Sequence, residues 1–479
     1  MVVDYEAVGF KCGIEIHNRL STHEKLFCSC IPKLSAEKPN FTITRRLRPV
    51  AGEMGRVDVA ASYEFLRDRT FHYQCFPNIT CEVERDEEPP HPLNMEALTV
   101  AIQVCKLLGS RIVDEVHVMR KTIIDGSNTT SFQRTALIAT GGIISTSLGP
   151  VRIQAISIEE ESAGIVEQKE DRVVYRLDRL GIPLIEISTF PEVKSAAHAR
   201  EVSEKLGMIV RSTGKSQRGI GVTRQDINLS VKGGKRVEVK GVQELDLMET
   251  LIEKEVLRQV ELMKIGKSEE ETRVAQPDGT TVFSRPLPGG ERMYPETDVP
   301  PISLLPNFLA SIQTPETFER KLARFQSILP KDLAEQVLKS DYLDIFESFE
   351  RSPEHVLIAS VLTNTIKDLR RKGIPVESIQ DSQLRELLSA LELKKIAKEA
   401  VPQLLEKLSR NPEMPLSTLP MQQFSEEDLR KLVKKVFQKW PALVGEKKFP
   451  ALMGEVMKEA RGKIDGAVVK TVLEEELNK

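Results

Sequence analysis

The sequence changes character near residue 305, and this change constrains the fold more than any other feature. Before it, short runs rich in β-branched and other apolar residues alternate with turns that contain Gly and Pro. After it, apolar residues recur at helical spacing. We therefore expect an α+β fold. The expected parts are a large mixed α/β cradle domain over 1–304, an all-α helical domain over 305–408 and a small helical tail domain over 409–479.

Local signals place individual elements within these domains. The clearest strand patterns cover 151–158, 184–188, 227–231 and 236–239. Helical spacing predicts helices over 93–108 and 196–212. The expected N-cap residues in the helical part are Thr314, Ser352 and Ser425, and Gly373 is expected to end the helix that Ser352 begins.

Composition excludes several classes of protein. A formal net charge of −3 gives no overall basic field, so any nucleic-acid contact must come from local clusters of Lys and Arg. The N-terminus lacks a charged-then-apolar signal pattern, and no apolar run approaches the length of a membrane span. We therefore expect a cytoplasmic protein with no membrane association.

The six cysteines do not suggest a disulfide framework in a chain of 479 residues, and they fit reduced thiols. Cys28-Ser29-Cys30 has the form of half a zinc site, which Cys75 and Cys81 would complete. The overall spacing matches no recognised four-ligand pattern, so we interpret these residues as ordinary thiols and expect no Zn2+.

Carboxylates stand in or beside several apolar strand patterns. In Gly13-Ile14-Glu15-Ile16-His17, strand alternation places Glu15 and His17 on one face and the two isoleucines on the other. Glu186 lies within an apolar run, where an unpaired carboxylate is costly. The acids at 159–161 repel one another unless a cation lies among them. Arg176, Arg179 or a metal ion are the candidate partners of Glu186. A solvated edge strand explains Glu15 and His17 equally well, and an exposed acidic turn explains the acids at 159–161.

The segment 224–240 predicts a β-hairpin whose register can be tested. A three-residue loop at 232–234 pairs Asp226 with Lys240, Asn228 with Glu238 and Ser230 with Arg236 on one face. The opposite face is then apolar. This register requires a type I turn with Gly234 in the left-handed conformation. The mixture of acids, amide and cations on the polar face suits a nucleoside triphosphate with its metal.

No standard nucleotide or nucleophile signature is present. The sequence has no GxxxxGK[ST] loop, no GxGxxG after a strand and no GxSxG elbow. Two polar loops, around Asp125-Gly126-Ser127-Asn128 and from Arg292 to Asp298, are candidates for ligand contacts. The chemistry is therefore expected to be electrostatic and metal-assisted rather than covalent.

These segments together resemble the B/E family of tRNA-dependent amidotransferase subunits. The resemblance runs in order through nearly the whole chain and is closest to the archaeal E type. The stretches that carry it are GIEIH at 13, RKTIIDGSNTTSFQRT at 120, EEES at 159, RLDRLGIPLIEI at 176, RQDINLSV at 224, VEVKGVQELDL at 237, RMYPETDVPP at 292 and LMGEVMKEARGKIDGAVVKTVLEEEL at 452.

The resemblance implies an ATP- and Mg2+-dependent enzyme that converts mischarged Glu-tRNA(Gln) to Gln-tRNA(Gln). ATP phosphorylates the glutamyl γ-carboxylate, and ammonia then displaces phosphate. It implies a hetero-oligomer in which an asparaginase-like D-type partner releases ammonia from glutamine or asparagine.

Two alternatives stay open. One is a B-type chain that acts on Asp-tRNA(Asn) and Glu-tRNA(Gln) with an amidase-like A-type partner and a C-type partner. The other is a non-catalytic tRNA-binding scaffold.

The resemblance also implies roles for individual residues. The implied catalytic carboxylates are Glu15, Glu160 and Glu186. The implied metal ligands are Glu15, His17, Glu160 and Glu186, with Glu159 competing for the place of Glu160. The implied ATP contacts are Asp226, Asn228, Glu238, Lys240, Arg292 and Glu296. The implied tRNA contacts in the tail domain are Lys434, Lys435, Lys458, Arg461 and Lys463. Mg2+ prefers oxygen ligands, so His17 is the unusual member.

The chain departs from the E type in two places. E-type chains carry a domain similar to part of aspartyl-tRNA synthetase before EETR, whereas here only a short segment separates the helix pattern 253–263 from Glu270. Any tRNA contact made by that insert is therefore not expected in this chain. Glu161 also replaces the usual Asp, which lengthens the side chain by one methylene.

Overall fold

The computed structural model describes residues 3–52, 55–219, 221–412, 414–415, 426–460, 464 and 466–478. Their contacts divide the chain into two compact units, Met1–Phe318 and Glu319–Lys479. The first unit is built on β-sheets and the second on helices, so the expected α+β class is confirmed. The helix Pro306–Ser311 belongs to the first unit, because the Lys106 ammonium donates to the carbonyl oxygens of Leu309 and Ile312, at 2.6 Å each.

All strands among the described residues lie in the first unit. In chain order they are β1 Lys11–Arg19, β2 Phe41–Arg45, β3 Thr70–Cys75, β4 Arg111–Ile112, β5 Glu115–Val116, β6 Val118–Thr122, β7 Phe132–Thr140, β8 Ile143–Thr146, β9 Gly149–Glu160, β10 Gly164–Gln168, β11 Arg172–Arg176, β12 Pro183–Thr189, β13 Thr223–Ser230, β14 Val237–Val242, β15 Glu271–Ala275, β16 Thr281–Pro286, β17 Met293–Pro295 and β18 Ile302–Ser303.

One large sheet places many polar side chains of the first unit on a single face. Its strand order is β16-β15-β14-β13-β1-β12-β9-β7-β6-β17, with β4 beside β7 and β8 beside β9. Alternate residues of the central strands point into an apolar core, among them Ile14, Ile16, Ile158 and Ile227, which are at most 1% exposed. The intervening residues face the opposite side, which is where the polar side chains gather.

The predicted hairpin register is confirmed in its centre. Asn228 pairs with Glu238, while Ile227 pairs with Val239 on the apolar side. Beyond them a β-bulge shifts the register, so Asp226 and Lys240 are not a regular strand pair although their side chains still meet. The expected turn is wrong in one respect. Gly233, with φ +77°, takes the left-handed conformation, and Gly234 does not.

A second sheet, β10-β11-β3-β2, packs around its own smaller core of aromatic and aliphatic residues, and β18 pairs with β5. The helices of the first unit are α1 Val59–Leu66, α2 Met95–Leu108, α3 Ala196–Arg211, α4 Leu245–Lys264 and α5 Pro306–Ser311. Thus α2 and α3 confirm the predicted helices to within two residues at either end. Only a short connection joins α4 to β15.

Within its described residues, the regular secondary structure of the second unit is helical. Its helices are α6 Phe318–Gln326, α7 Lys331–Lys339, α8 Leu343–Phe349, α9 His355–Ser360, α10 Ile366–Arg371, α11 Asp381–Glu392, α12 Val401–Arg410, α13 Glu426–Lys439, α14 Pro441–Gly445, α15 Phe449–Ala460 and α16 Gly466–Leu477. The last four enclose a separate core that includes Leu432, Val456 and Leu473. Among the described residues, no helix is long and apolar enough to cross a membrane.

Two of the predicted helix starts are wrong. Helix α6 begins at Phe318 rather than after Thr314, because Ile312 packs into the core of the first unit and the residues after it stay outside regular structure. Helix α9 begins at His355, because Ser352 instead stabilises a turn in which its hydroxyl accepts from the backbone of Glu354. Gly373, with φ +75°, follows α10 as expected. Ser425 lies outside the described residues.

Candidate active site

The polar face of the large sheet forms one wall of an open cleft of about 480 Å³ in the first unit. Neighbouring strands contribute to it side by side. His17 on β1 lies opposite Glu186 on β12, and Glu15 lies opposite Asp226 on β13. Because adjacent strands are only about 4.8 Å apart, side chains at matched register positions are brought within reach of one ligand. Arg285 at the end of β16 and Arg292 in the turn before β17 complete the lining.

Glu15, His17 and Glu186 form the first of two groups of potential metal ligands. One ligand atom from each lies within 4.8 Å of the others. The Nε2 atom of His17 is 3.2 Å from a carboxylate oxygen of Glu186. Burial opposes protonation of the imidazole, but the hydrogen bond to Glu186 and the negative charges of Glu186 and its acidic neighbours together outweigh burial and raise the pKa of His17 to about 9. Three of the predicted metal ligands therefore converge.

Glu15 also belongs to a second group with Asp226 and Glu238, whose ligand atoms meet the same 4.8 Å limit. The Lys240 ammonium donates to Asp226 at 2.7 Å and contacts Glu238 at 2.8 Å. Asn228 donates its side-chain amide to Glu15 at 3.1 Å. Four of the predicted ATP contacts thus lie around Glu15.

The acids of this face are only partly balanced by cations. Burial, and then repulsion from Glu186, raises the pKa of Glu15 to about 7. Burial also opposes the ionisation of Asp226 and Glu238, but Lys240 outweighs it and lowers the pKa of both carboxyl groups. After burial, the negative charges of Glu186, Glu238 and Asp226 also raise the pKa of Glu15 at the point where the two groups share a ligand. A divalent cation at that point would relieve this repulsion.

The structure separates the two adjacent acids that competed for one role. Glu159 faces the cleft, and its carboxylate is hydrogen-bonded to the Lys121 ammonium. Burial and the nearby charge of Glu186 raise the pKa of Glu159. The same ammonium is 3.8 Å from Glu186, whose pKa lies well below its usual range because Lys121 and His17 outweigh the effect of burial. Lys121 therefore links two carboxylates of the cleft.

Glu160 points to the other side of β9, since it follows Ile156 and Ile158 in the strand alternation. Its carboxylate accepts from the backbone of Arg134 at 3.0 Å and from the guanidinium at 3.2 Å. Glu296 lies in the same network, bound to Arg134 at 2.8 Å and to Arg120. The structure thus places Glu160 and Glu296 in buried ion pairs, outside the lining of the cleft.

The arginines suspected as partners of Glu186 serve other groups. Arg176 pairs with Asp178, and Arg179 donates to the carbonyl oxygens of Ser162 and Ala163. Glu161 is nearly fully buried and receives both guanidinium donors of Arg224, at 2.7 and 2.9 Å. Burial opposes the ionisation of Glu161, but Arg224 outweighs it and lowers the pKa.

Arg285 in the cleft was missed by the sequence reasoning, whereas Lys121, Gln133 and Arg236 lie in polar segments that it noted without giving each residue a role. Lys121 and Gln133 come from β6 and β7, and Arg236 and Arg285 border the hairpin and the β16 edge. The cations at the border of the acidic centre are Lys121, Arg236, Arg285 and the predicted Arg292. Arg236 is exposed, and Arg285 forms an ion pair with Asp125 at 3.3 Å. An acidic centre with a cationic border fits a metal-bound polyphosphate.

The predicted tRNA contacts lie in the second unit. Lys434 and Lys435 are exposed on α13, whereas Lys458 on α15 is paired with Glu455 at 2.5 Å. Arg461 and Lys463 lie outside the described residues. Lys434, Lys435 and Lys458 are all exposed and stay predicted phosphate contacts within the described part of the tail.

Comparisons with known proteins cover the whole chain. The family profile of the GatB/GatE catalytic domain matches residues 10–310, and that of the GatB domain matches residues 344–477. The chain is 37% identical to a protein from Archaeoglobus fulgidus named as the E subunit of glutamyl-tRNA(Gln) amidotransferase, over 99% of each chain. Proteins of the same name from Methanocaldococcus jannaschii and Halobacterium salinarum are 34% and 35% identical, over 100% and 99% of each chain.

The same alignments reveal a difference in length. The alignment with the Archaeoglobus fulgidus protein spans 610 positions, whereas this chain has 479 residues, so at least 131 aligned positions have no counterpart here. Within the described structure, the connection between α4 and β15 runs only from Ile265 to Glu270. This short connection is where the sequence predicts the missing insert.

Proposed function

The chain belongs to the GatB/GatE family, and on that premise we propose that it is the transamidating subunit that converts Glu-tRNA(Gln) to Gln-tRNA(Gln). The observation that carries the proposal is the shared position of Glu15 in two groups of potential metal ligands, beside a border of cations. This arrangement supports phosphoryl transfer, which depends on positioning and charge neutralisation rather than on a protein nucleophile. The names of the relatives supply the substrate.

The proposed reaction has two balanced steps. In the first, an oxygen of the glutamyl γ-carboxylate forms a bond to the γ-phosphorus of ATP, the bond from that phosphorus to the βγ-bridging oxygen breaks, and ADP leaves. In the second, neutral ammonia bonds to the acyl carbon, the bond to the phosphorylated oxygen breaks, and inorganic phosphate leaves. Protons from the attacking nitrogen pass to solvent or to a nearby base.

The side chains of the cleft have different proposed roles in these two steps. Lys121, Arg236, Arg285 and Arg292 are placed to neutralise the phosphates and the incoming γ-carboxylate, whose negative charges otherwise repel. Lys240 holds Asp226 and Glu238 in position through its ion pairs. Asn228 orients Glu15 by donating to it. Each residue acts before or during phosphoryl transfer, and none is required to form a covalent bond.

Glu15, His17 and Glu186 would hold a divalent cation, and Asp226 and Glu238 adjoin it. The carboxylates suit Mg2+, while His17 is the ligand that Mn2+ would accept more readily. Bound there, the cation would supply charge neutralisation on the phosphate oxygens. We assign Glu159, rather than Glu160, to this cleft, since only Glu159 faces it.

We further propose that a partner protein supplies ammonia, because the chain has no nucleophile signature for releasing it from an amide. An asparaginase-like D-type chain is the expected partner. Lys434 and Lys435 are proposed to contact tRNA phosphates.

The test is ATP-dependent amide formation on purified Glu-tRNA(Gln), with free ammonia or with glutamine, with and without each candidate partner. We expect turnover with ammonia in the complex, and turnover with glutamine only when the asparaginase-like partner is present. Activity on Asp-tRNA(Asn) with amidase-like and C-type partners would favour the B-type alternative instead. No turnover of either tRNA in any combination would refute an enzymatic role.

Variants separate catalysis from scaffolding. Glu15→Gln and Glu186→Gln are each expected to lower amide formation by ~10²-fold or more, because each removes a charged group from the phosphoryl-transfer site. Glu167→Gln is the matched control and should act as wild type, because Glu167 is a half-buried carboxylate on β10 outside the cleft, paired with Lys169. A scaffold would bind tRNA equally well in all three variants and would also retain amide formation in all of them.

A further inference from the structure

The last residue of β1, Arg19, carries a buried guanidinium group that has no hydrogen-bond partner. Its side chain is 9% exposed. The Nε atom is buried, and no described residue accepts a hydrogen bond from any nitrogen of the group. The nearest carboxylate oxygen belongs to Glu161 and lies 3.9 Å from Nε. Because buried polar groups are normally hydrogen-bonded and a guanidinium has five donors, this position calls for a further anion.

The charges around Arg19 do not balance. The charged groups that act on it are Glu161, Arg179 and Arg224, so three cations share one carboxylate. Glu161 is already occupied, since its two oxygens accept from Arg224 at 2.7 and 2.9 Å. We call Arg19, Arg179 and Arg224 the arginine cluster. An excess of buried positive charge is costly, and a bound anion would offset it.

Two further carboxylates act on the arginine cluster, but each has a cation of its own. Asp178 receives the guanidinium of Arg176 at 2.5 Å. Asp226 receives the ammonium of Lys240 at 2.7 Å. Ion pairs among the described residues therefore leave the cluster with a net positive charge.

The arginine cluster opens onto the cleft. Arg179, Arg224 and Leu184 belong to the lining of the cleft, and Arg19 is the register partner of Leu184. Strand alternation places Arg19 on the same face of β1 as His17. At about 3.4 Å per residue, the two positions are about 7 Å apart along the strand. The cluster thus lies one step beyond the potential metal ligands.

The position of the cluster along β1 indicates which substrate supplies the anion. Asn228 and Asp226, two of the predicted ATP contacts, lie beside Gly13 and Glu15, at the opposite end of the strand from Arg19. In phosphoryl transfer the attacking oxygen and the leaving oxygen lie roughly in line, on opposite sides of the phosphorus. With ADP over residues 13–15, the acceptor enters over residues 17–19.

We propose that Arg19, Arg179 and Arg224 bind the phosphodiester group next to the aminoacylated 3′ end of the tRNA. Guanidinium groups suit this role, because their planar donors match the oxygens of a phosphate. The identity of the ligand rests on the proposed function, whereas the need for an anion rests on the guanidinium without a partner. Inorganic phosphate and tRNA therefore test the two parts separately.

The first test measures thermal unfolding of the full-length protein in inorganic phosphate and in chloride of equal ionic strength, without divalent cations. Phosphate should raise the Tm of the wild type. Arg19→Met should lose most of that rise, and Arg19→Lys, which keeps the charge, should retain part of it. Arg152→Met is the matched control and should respond as the wild type does, because Arg152 is an exposed arginine outside the cleft. An equal rise in Arg19→Met and in the wild type would overturn the anion site.

The scans in chloride separate an anion site from a structural role. Arg19→Met removes a buried charge that has no hydrogen-bond partner, so its Tm should equal or exceed that of the wild type. Arg224→Met should instead lower Tm, because it leaves the buried Glu161 without two hydrogen bonds. A fall in the Tm of Arg19→Met as large as that of Arg224→Met would show that Arg19 stabilises Glu161, and the proposal would be wrong.

The second test measures amide formation by the complex with ammonia. Arg19→Met should raise KM for Glu-tRNA(Gln) by about tenfold or more, since it removes a charged contact to phosphate, while KM for ATP stays that of the wild type. A raised KM for ATP with an unchanged KM for tRNA would assign the anion to ATP and overturn the assignment to tRNA. If the wild-type complex forms no amide on either tRNA, the proposed function fails, and the response of Tm to phosphate still decides whether the anion site exists.

Discussion

Two neighbouring acids of β9 offer a sharp experiment, because the structure gives them opposite surroundings. Glu159 faces the cleft beside Lys121 and Glu186, and Glu160 faces the buried Arg134. The perturbation is the same in both cases: Glu159→Gln and Glu160→Gln each remove one negative charge and preserve the shape of the side chain. The two variants are expected to fail in opposite ways.

The sizes of the effects follow from burial and partners. The Glu160 and Arg134 side chains are 7% and 6% exposed, so Glu160→Gln removes charge-assisted hydrogen bonds in a buried place and costs about 2 kcal/mol of unfolding free energy. For a unit of 318 residues, with an unfolding entropy of about 2.1 cal/mol/K per residue, that lowers Tm by roughly 3 °C. Glu159 is different, because burial and Glu186 raise its pKa, so its ionised form opposes folding at neutral pH. Glu159→Gln should therefore leave Tm unchanged or slightly raised.

The rate of amide formation should be affected in the opposite order: strongly in Glu159→Gln and not in Glu160→Gln. Glu159→Gln removes a charged partner of Lys121 in the cleft and is expected to lower amide formation by ~10²-fold. Glu160→Gln should retain wild-type amide formation per folded molecule. Thermal unfolding and the ammonia-dependent assay on the same preparations supply both readouts. A stable but inactive Glu160→Gln, together with a destabilised but active Glu159→Gln, would refute the assignment.

Three further outcomes follow from the structure. In a tRNA-binding titration, the double variant Lys434→Gln/Lys435→Gln should bind tRNA more weakly, and the slope of log K against log salt should fall by about one for each lost phosphate contact. Lys431 already pairs with Glu427, so the control variant Lys431→Gln should change neither quantity. Lys240→Met should lower Tm, because it leaves the mostly buried carboxylates of Asp226 and Glu238 without their cation, and added Mg2+ should raise the Tm of this variant by more than it raises the Tm of the wild type. Burial lowers the pKa of His198, so at a pH below about 6.5 this residue takes up a proton in the unfolded chain but stays neutral in the folded one, and the free energy of unfolding decreases. His198→Asn should make that decrease smaller when Tm is measured against pH.

Strand alternation was the reliable part of the sequence reasoning. It placed Glu15 and His17 on one face and paired Asn228 with Glu238, because a half-buried sheet fixes the register through its apolar side. The same rule, carried two residues past Ile158, assigns Glu160 to the core side and Glu159 to the cleft. The sequence interpretation ended the strand too early and so left the two acids undecided.

Other parts of the site depend on contacts between distant segments. Lys121 reaches Glu159 and Glu186 only because β6, β7, β9 and β12 lie side by side, and no local pattern encodes that order. Cys28, Cys30 and Cys81 gather around Glu84 and not around the expected Cys75, and a search for four cysteines overlooks a carboxylate in that place. The helix start expected after Thr314 fails for a related reason, because tertiary packing of Ile312 overrides the local capping signal.

The most direct measurement follows the side-chain oxygen of the substrate. Glu-tRNA(Gln) labelled with oxygen-18 in the γ-carboxylate is converted with ATP and ammonia, and the released inorganic phosphate is examined by mass spectrometry. Phosphorylation of the carboxylate predicts one oxygen-18 atom in phosphate for each amide formed, and loss of both products in Glu15→Gln. Amide formation without label in phosphate, or label found in AMP, would contradict the mechanism proposed for this cleft.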